Sequence, residues 1–263
     1  MFSGFNVTID ENTIGYDYFY EAGKDVLQSN RAVIHENLRE YICNRDLLDG
    51  SLMASDWFPE IEADIFLSHS HTDEKFVVSF AGWLYQLFGV RAFVDSMVWG
   101  YSNDLLKIID NEYCLKSSGS YSYDKRNYST SHVHMMLSMA LTKMIDKCES
   151  VFFINTPNSV SVSKGIIKAN YTLSPWIYSE IEMTRMIRHK KLSEYRNISE
   201  IVTESLTHFA ESQENLRIRY DISLDHLVEL TNNDLIMWQA LGRKNVCDIP
   251  MDKLYAIKGI FED

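Results

Sequence analysis

The sequence predicts an α/β fold in which a parallel sheet is flanked by helices, with helical extensions at both ends. Three observations predict it. Short apolar runs at Ile65-Phe66-Leu67, Val90 to Val94 and Val151-Phe152-Phe153-Ile154 each stop at a polar turn, as buried strands do. Helical spacing fills the intervals, through Phe76, Val77, Phe80, Leu84 and Leu87 after the first run and through Val133, Met136, Leu137, Ala140, Leu141 and Met144 before the third. Strand, helix and strand in that order require a right-handed crossover and hence parallel pairing.

In chain order, Phe19, Val26, Ile34, Leu38 and Ile42 recur at near-helical spacing and predict one long helix from about Tyr18 to Leu48, ended by Asp49-Gly50. The segment Ser55-Asp56-Trp57-Phe58-Pro59 reads as a linker into the first strand. After that strand, Thr72 or Asp73 caps a helix that Gly89 stops. A short helical stretch follows around Asp104 to Ile109. Residues 116–131 are rich in Ser, Tyr and Asn and read as a long surface loop, with helix resuming at His132. Ser174-Pro175 opens a further helix, serine at the N-cap and proline at the first turn. Leu216 to Tyr220 reads as a fourth strand, and Leu227, Leu230, Leu235, Trp238 and Leu241 as a C-terminal helical region. The division is then a helical extension over 1–62, the α/β domain over 63–222 and a second helical extension over 223–263.

Composition narrows the function classes. With 263 residues, 46% of them hydrophobic and 13% aromatic, the chain can bury a sizeable core. Cys43, Cys114, Cys148 and Cys247 lie far apart with no CxxC spacing, which fits reduced thiols in a cytoplasmic protein rather than a disulfide framework or a zinc site. No secretory signal is expected, and the uncharged apolar stretch Phe76 to Val90 is too short to cross a bilayer. No membrane partner is expected either. A net charge of −12 repels phosphate backbones, so nucleic acid is not an expected partner. It does not exclude a nucleotide substrate, whose diphosphate can be held by backbone N–H groups at helix N-termini.

One carboxylate stands where an apolar side chain is expected. On the helix opened by Pro175, Glu180 shares a face with Trp176, Met183 and Ile187, whereas Glu182 shares one with Tyr178, Arg185 and His189. The second position suits a solvated glutamate. The first suits either a surface glutamate beside an interfacial tryptophan or a carboxylate held in a site.

Several stretches resemble one family. Asp64-Ile65-Phe66-Leu67-Ser68-His69-Ser70 resembles the opening strand motif of TIR (Toll/interleukin-1 receptor) domains, D-[IV]-F-[IL]-S-[YH]-S. Phe93-Val94-Asp95 is similar to the family's second strand, and Ser174-Pro175-Trp176-Ile177-Tyr178-Ser179-Glu180 resembles its W-x-x-x-E helix. Together these span roughly residues 63–190, about half the chain. The resemblance implies a TIR/flavodoxin-like fold, Glu180 as the catalytic carboxylate of an NAD-cleaving enzyme and Trp176 as a lining of its pocket. It also implies NAD as a consumed substrate with no resident cofactor. Val98 to Ser102 and Asn127 to His132 look like bacterial standalone TIR proteins of Thoeris antiphage systems, which implies homo-oligomers through TIR–TIR contacts and a separate nucleotide-sensing effector. The chain departs from the family in having His69 and His71 where many members carry basic residues.

The chemistry fits a single carboxylate. NAD carries a cationic pyridinium that leaves as neutral nicotinamide, so no general acid is needed; a negative group near the ribose is. In open parallel sheets ligands bind beyond the carboxyl ends of the strands, which makes Ser68, His69, Ser70, Asp95 and Trp99, with Asn155-Thr156, the segments expected to face Glu180. Trp99 either stacks on a base or packs locally. His132, read as the start of a helix near the crevice, is a candidate substrate contact. His69-x-His71 and His132-x-His134 lack a third ligand at recognisable spacing, so no metal is expected. No G-x-S-x-G, P-loop or G-x-G-x-x-G occurs, which favours NAD as substrate over NAD as hydride carrier. Two other functions compete: a non-catalytic adaptor acting by self-association, and an enzyme acting on free nucleosides like the similarly folded deoxyribosyltransferases.

Overall fold

The computed structural model describes residues 1–9, 15–28, 38–44, 47–99, 102–162, 170–196, 218–242 and 248–260. Its strands are β1 (Ser3–Thr8), β2 (Ile42–Asn44), β3 (Leu47–Leu48), β4 (Ile65–Ser68), β5 (Ala92–Phe93), β6 (Ser150–Ile154), β7 (Ser161–Val162), β8 (Asn170–Thr172), β9 (Tyr220–Asp221) and β10 (Val228–Thr231). The α-helices are α1 (Tyr20–Gln28), α2 (Gly50–Trp57), α3 (Glu74–Phe88), α4 (Asp95–Val98), α5 (Ser102–Ile109), α6 (Tyr123–Lys147), α7 (Pro175–Met186), α8 (Asn232–Leu241) and α9 (Pro250–Lys258).

The central sheet has five strands in the order β10-β1-β6-β4-β5, all parallel. Helices flank it, so the α/β class predicted from the alternation of runs holds. Numbered from Ile65, the arrangement follows the doubly wound order 2-1-3-4-5 of flavodoxin-like folds, with one difference. The fourth place is filled by β1, which precedes the other strands in the chain.

That placement corrects the division read from the sequence. Residues 1–62 do not form a helical extension only, because Ser3–Thr8 is an interior strand between β6 and β10. Residues 223–263 likewise give the edge strand β10 before their two helices. The expected fourth strand near Tyr220 forms instead part of a small antiparallel sheet, β7-β8-β9. Of the long helix expected from Tyr18, the described residues give α1, and further on a 3-10 turn over Leu38–Tyr41 and the antiparallel pair β2 and β3. Asp49 starts a helix rather than ending one, accepting from the N–H groups of Ser51 and Leu52 at 2.9 and 3.0 Å. Residues 123–131, read as loop, are the first turns of α6. Ile34, Gly100, Tyr101, Leu216, Arg217 and Cys247 lie outside the described residues.

Strand alternation builds a core on each face of the sheet. Phe5, Val7, Ile65, Leu67, Phe152 and Leu230 point to the side covered by α1, α3, α8 and α9, where Trp83 and Trp238 are fully buried. Phe66, Phe93 and Val151 point to the other side, against α2, α5 and α6. Helix α1 is held to α3 by a backbone crossing at two glycines. A Cβ on Gly23 would stand 1.9 Å from the carbonyl oxygen of Val78, and one on Gly82 would stand 2.1 Å from that of Phe19. Gly89, with φ 69°, closes α3 as the sequence predicts.

Candidate active site

Helix α7 carries the carboxylate to the sheet. Ser174 caps it by accepting from the N–H of Ile177 at 3.2 Å, and Pro175 occupies the first turn. Ile177 and Ile181 then sink into an apolar cluster with Phe153, Ile222, Leu224 and Leu227. Trp176, Met183 and Ile187 pack on the cluster beneath α6. The helix is thus wedged between two apolar bodies, and Glu180 points into the seam.

Glu180 is 4% exposed, and its Oε2 accepts a hydrogen bond of 2.5 Å from the Ser68 hydroxyl, itself 2% exposed. Ser68 is the last residue of β4, an interior strand of the sheet between β6 and β5. From β4 the chain winds through α3 to β5 on one side, while β6 lies on the other, so the carboxylate stands at the topological switch point where open α/β sheets bind ligands. Burial, then the negative charge of Asp95, push the Glu180 carboxyl well above the ordinary carboxylate range; the Ser68 bond opposes them. Of the two readings for Glu180, the solvated surface glutamate is excluded. Glu182 is the partly exposed one, with Arg185 Nε 3.7 Å from its Oε1.

The residue after Ser68 continues the site. His69 is 6% exposed, and its Nδ1 donates to the Leu67 carbonyl at 3.0 Å and stands 3.7 Å from Asp95 Oδ1. Its Nε2 lies 3.4 Å from the Ser96 hydroxyl. Ser68, His69, Asp95 and Glu180 therefore form one cluster at the carboxyl ends of β4 and β5. Trp176 is half-buried one helical turn before Glu180 and meets His134 of α6 edge to face, ring centroids 5.6 Å apart. Partial burial lowers the His134 imidazole below its ordinary value. His134 lies within the helix expected from His132; what its spacing does not carry is that α7 packs on α6 and brings Trp176 to it.

Three expected site residues go elsewhere. Trp99 is 3% exposed, packs edge to face on Phe58 and Phe93, and donates its indole N–H to the Pro59 carbonyl at 3.3 Å. It is a core residue, so the stacking role is corrected in favour of local packing. Ser70 caps the 3-10 turn before α3, accepting from the Thr72 N–H at 3.4 Å. His132 stands on the exposed side of α6 against Tyr128 and lines a groove of about 670 Å³ between α2 and α6, whose lining includes none of Ser68, His69, Asp95 or Glu180.

Other motif residues are structural. Asp64 accepts from the Arg91 N–H at 2.7 Å and fixes the start of β5. Asn155 bonds Asn6 at 3.0 Å and ties β6 to β1. Thr156 and Asn158 both donate to Asp73 at 2.6 Å, holding the turn after β6 against the start of α3. Cys114 and Cys148 are free and buried. Among the described residues no group of His, Cys, Asp and Glu is placed to hold a metal ion, and no helix is long and apolar enough to cross a membrane. No protein-family model matches the chain, and no curated protein and no solved structure matches it either.

Proposed function

We propose that this chain is an NAD glycohydrolase or ADP-ribosyl cyclase, with Glu180 as the catalytic carboxylate. The observation that carries the reading is a single buried carboxyl group fixed by Ser68 at the switch point of a doubly wound sheet. Evolution of a plain structural helix gives no reason to place an acid there, since burying one without a cation partner is costly. An ionic substrate supplies a reason.

When the nicotinamide–ribose bond breaks, its electron pair goes to the pyridinium nitrogen, and positive charge moves to the ribose carbon and ring oxygen. Glu180 faces that charge in a water-poor seam, where a fixed negative group is worth most. The same cation lowers the carboxyl's raised ionisation range on binding, so the acid ionises as its substrate arrives. The half-buried indole of Trp176 borders the seam and offers a flat apolar wall to the nicotinamide side. Capture of the ribose carbon by water gives ADP-ribose; capture by a hydroxyl of the same molecule gives a cyclic product, and by another acceptor a conjugate. In this reading the protein acts in the cytoplasm as a homo-oligomer, and its product signals to a separate effector in antiviral defence.

The test is direct: purified protein is incubated with NAD, and separately with nucleosides and deoxynucleosides, and products are identified by mass. Release of nicotinamide with an ADP-ribose-derived partner supports the reading. Release of free base from nucleosides alone, or stable self-association with NAD left intact in the presence of infected-cell extract, contradicts it.

A further inference from the structure

Glu180 is not the only carboxylate at this edge of the sheet. Strands β4 and β5 pair in parallel with Phe66 opposite Phe93, their rings 5.2 Å apart on the face that α6 and α7 cover. Ser68 and Asp95 each follow that pair by two residues, so the two strands deliver them side by side to the same edge. Ser68 bonds Glu180 at 2.5 Å, and its neighbour His69 stands 3.7 Å from Asp95. Two carboxyl groups thus flank the end of β4 in unlike surroundings. Glu180 is 4% exposed, whereas the Asp95 side chain is 22% exposed. Paired acids with contrasting environments divide the labour of a reaction at one carbon.

We propose that Asp95 is the base that takes the proton from the acceptor hydroxyl as it attacks the ribose carbon. The assignment rests on the NAD-cleaving reading above. The bond between the ribose carbon and the pyridinium nitrogen breaks, and nicotinamide keeps the electron pair. The acceptor's oxygen then bonds to that carbon, its proton passes to a carboxylate oxygen of Asp95, and Asp95 returns it to solvent. The sum is NAD plus acceptor giving nicotinamide, ADP-ribosylated acceptor and a proton. Glu180 steadies the cationic carbon, and Asp95 completes its capture. Without prompt capture, nicotinamide held in the seam recombines with the ribose, so loss of the base appears as slower net release.

The experiment compares nicotinamide release by wild type, Asp95→Asn, Asp95→Ala and Glu180→Gln, with and without sodium azide, an anionic nucleophile that carries no proton to remove. In buffer both Asp95 variants are expected to lose about a hundredfold in rate. Azide restores release in them and yields an azide adduct of ADP-ribose by mass, more strongly in Asp95→Ala, where the deleted side chain leaves room for the anion. Glu180→Gln is not restored. A purely electrostatic role for Asp95 predicts the opposite sign, because removing its charge helps Glu180 to ionise and speeds the reaction. Variants that melt with the wild type and either cleave NAD at its rate or faster, or stay slow in azide, overturn the proposal. If azide restores neither variant and both melt early, the proposal also falls, since Asp95 is then needed for the fold. A wild type that leaves NAD intact removes the reading on which the assignment rests; a cleaving wild type with equally fast Asp95 variants removes the assignment alone.

Discussion

Glu180 and Glu182 stand two residues apart on α7, and their environments have nothing in common. Glu180 is 4% exposed and accepts from the Ser68 hydroxyl at 2.5 Å. Glu182 lies at the surface, 3.7 Å from Arg185. One helix turns a 200° step between them, which puts one carboxyl into the seam over the sheet and the other on the partly exposed side. Only the first is held in place by a strand.

The buried acid should make stability depend on pH. Burial and Asp95 raise the folded-state Glu180 carboxyl above its value in the unfolded chain, so the folded state keeps a proton that the unfolded state releases first. The resulting stabilisation is fully present below the ordinary glutamate range and is lost as pH rises through the raised folded value. Glu180→Gln cannot ionise and keeps a group that fills the same space. The variant is expected to melt with the wild type near pH 4 and several degrees above it at pH 8, by thermal denaturation across pH. A variant less stable than the wild type at pH 8 would contradict the burial assigned to this carboxyl.

Ser68 should govern when Glu180 ionises. Its hydroxyl bond favours the charged form, and deleting it leaves burial and Asp95 unopposed. For Ser68→Ala the rising limb of the kcat–pH profile is expected to move to higher pH, with the rate at neutral pH down about tenfold, the scale of a hydrogen bond to a charged group. Ser68→Thr, which keeps the hydroxyl, should restore the profile. An unmoved limb in Ser68→Ala would show that the bond does not tune this acid.

Trp99 should matter to the fold and not to substrate. Trp99→Ala empties a core site between Phe58 and Phe93 and is expected to cost about 3–5 kcal/mol in denaturant unfolding. Trp99→Phe keeps most of that packing and is expected to leave KM for NAD within about twofold, inside the factor that separates a contact from none. A raised KM with unchanged stability would return Trp99 to the site.

The excised segment 63–222 should not fold. It lacks β1, which pairs with both β6 and β10, and it lacks α1, whose Gly23 lies against the α3 backbone at Val78. Circular dichroism and amide dispersion are expected to show an unfolded fragment beside a folded full chain. A cooperative unfolding transition in the fragment would mean that the terminal strands are additions to a sheet complete without them.

Much of this was legible in the residues, and the exceptions have physical causes. The runs at Ile65 and Val151 are apolar because parallel strands are covered on both faces, and the Ser174-Pro175 start and Gly89 stop are local chemistry that needs no tertiary context. Glu180 stood out because a helix-face count is enough to find a charge among apolar neighbours. Strand β1 is masked in the sequence because Ser3, Gly4 and Asn6 dilute its composition, although Phe5, Val7 and Ile9 alternate as a strand does. Strand β10 reads as helix in the sequence because Leu227, Leu230 and Leu235 also satisfy helical spacing. The boundary signal was Thr231 with Asp234, whose reciprocal caps open α8. The start of α6 looked like loop because that part of the helix stands in solvent, with only Ser129 buried in its first two turns and a half. Nothing in the spacing of Trp99 separates a stacking residue from a packed one; the choice is made by Phe58, which arrives from a different element.

The central claim is that one negative side chain beside the sheet edge cleaves NAD, and paired glutamine substitutions on α7 test it most directly. Nicotinamide release is measured for wild type, Glu180→Gln and Glu182→Gln under identical conditions. The expected result is a loss of roughly a hundredfold or more in Glu180→Gln, the scale of removing one preorganised electrostatic group, and a change within about twofold in Glu182→Gln. Equal rates in all three proteins would contradict the claim.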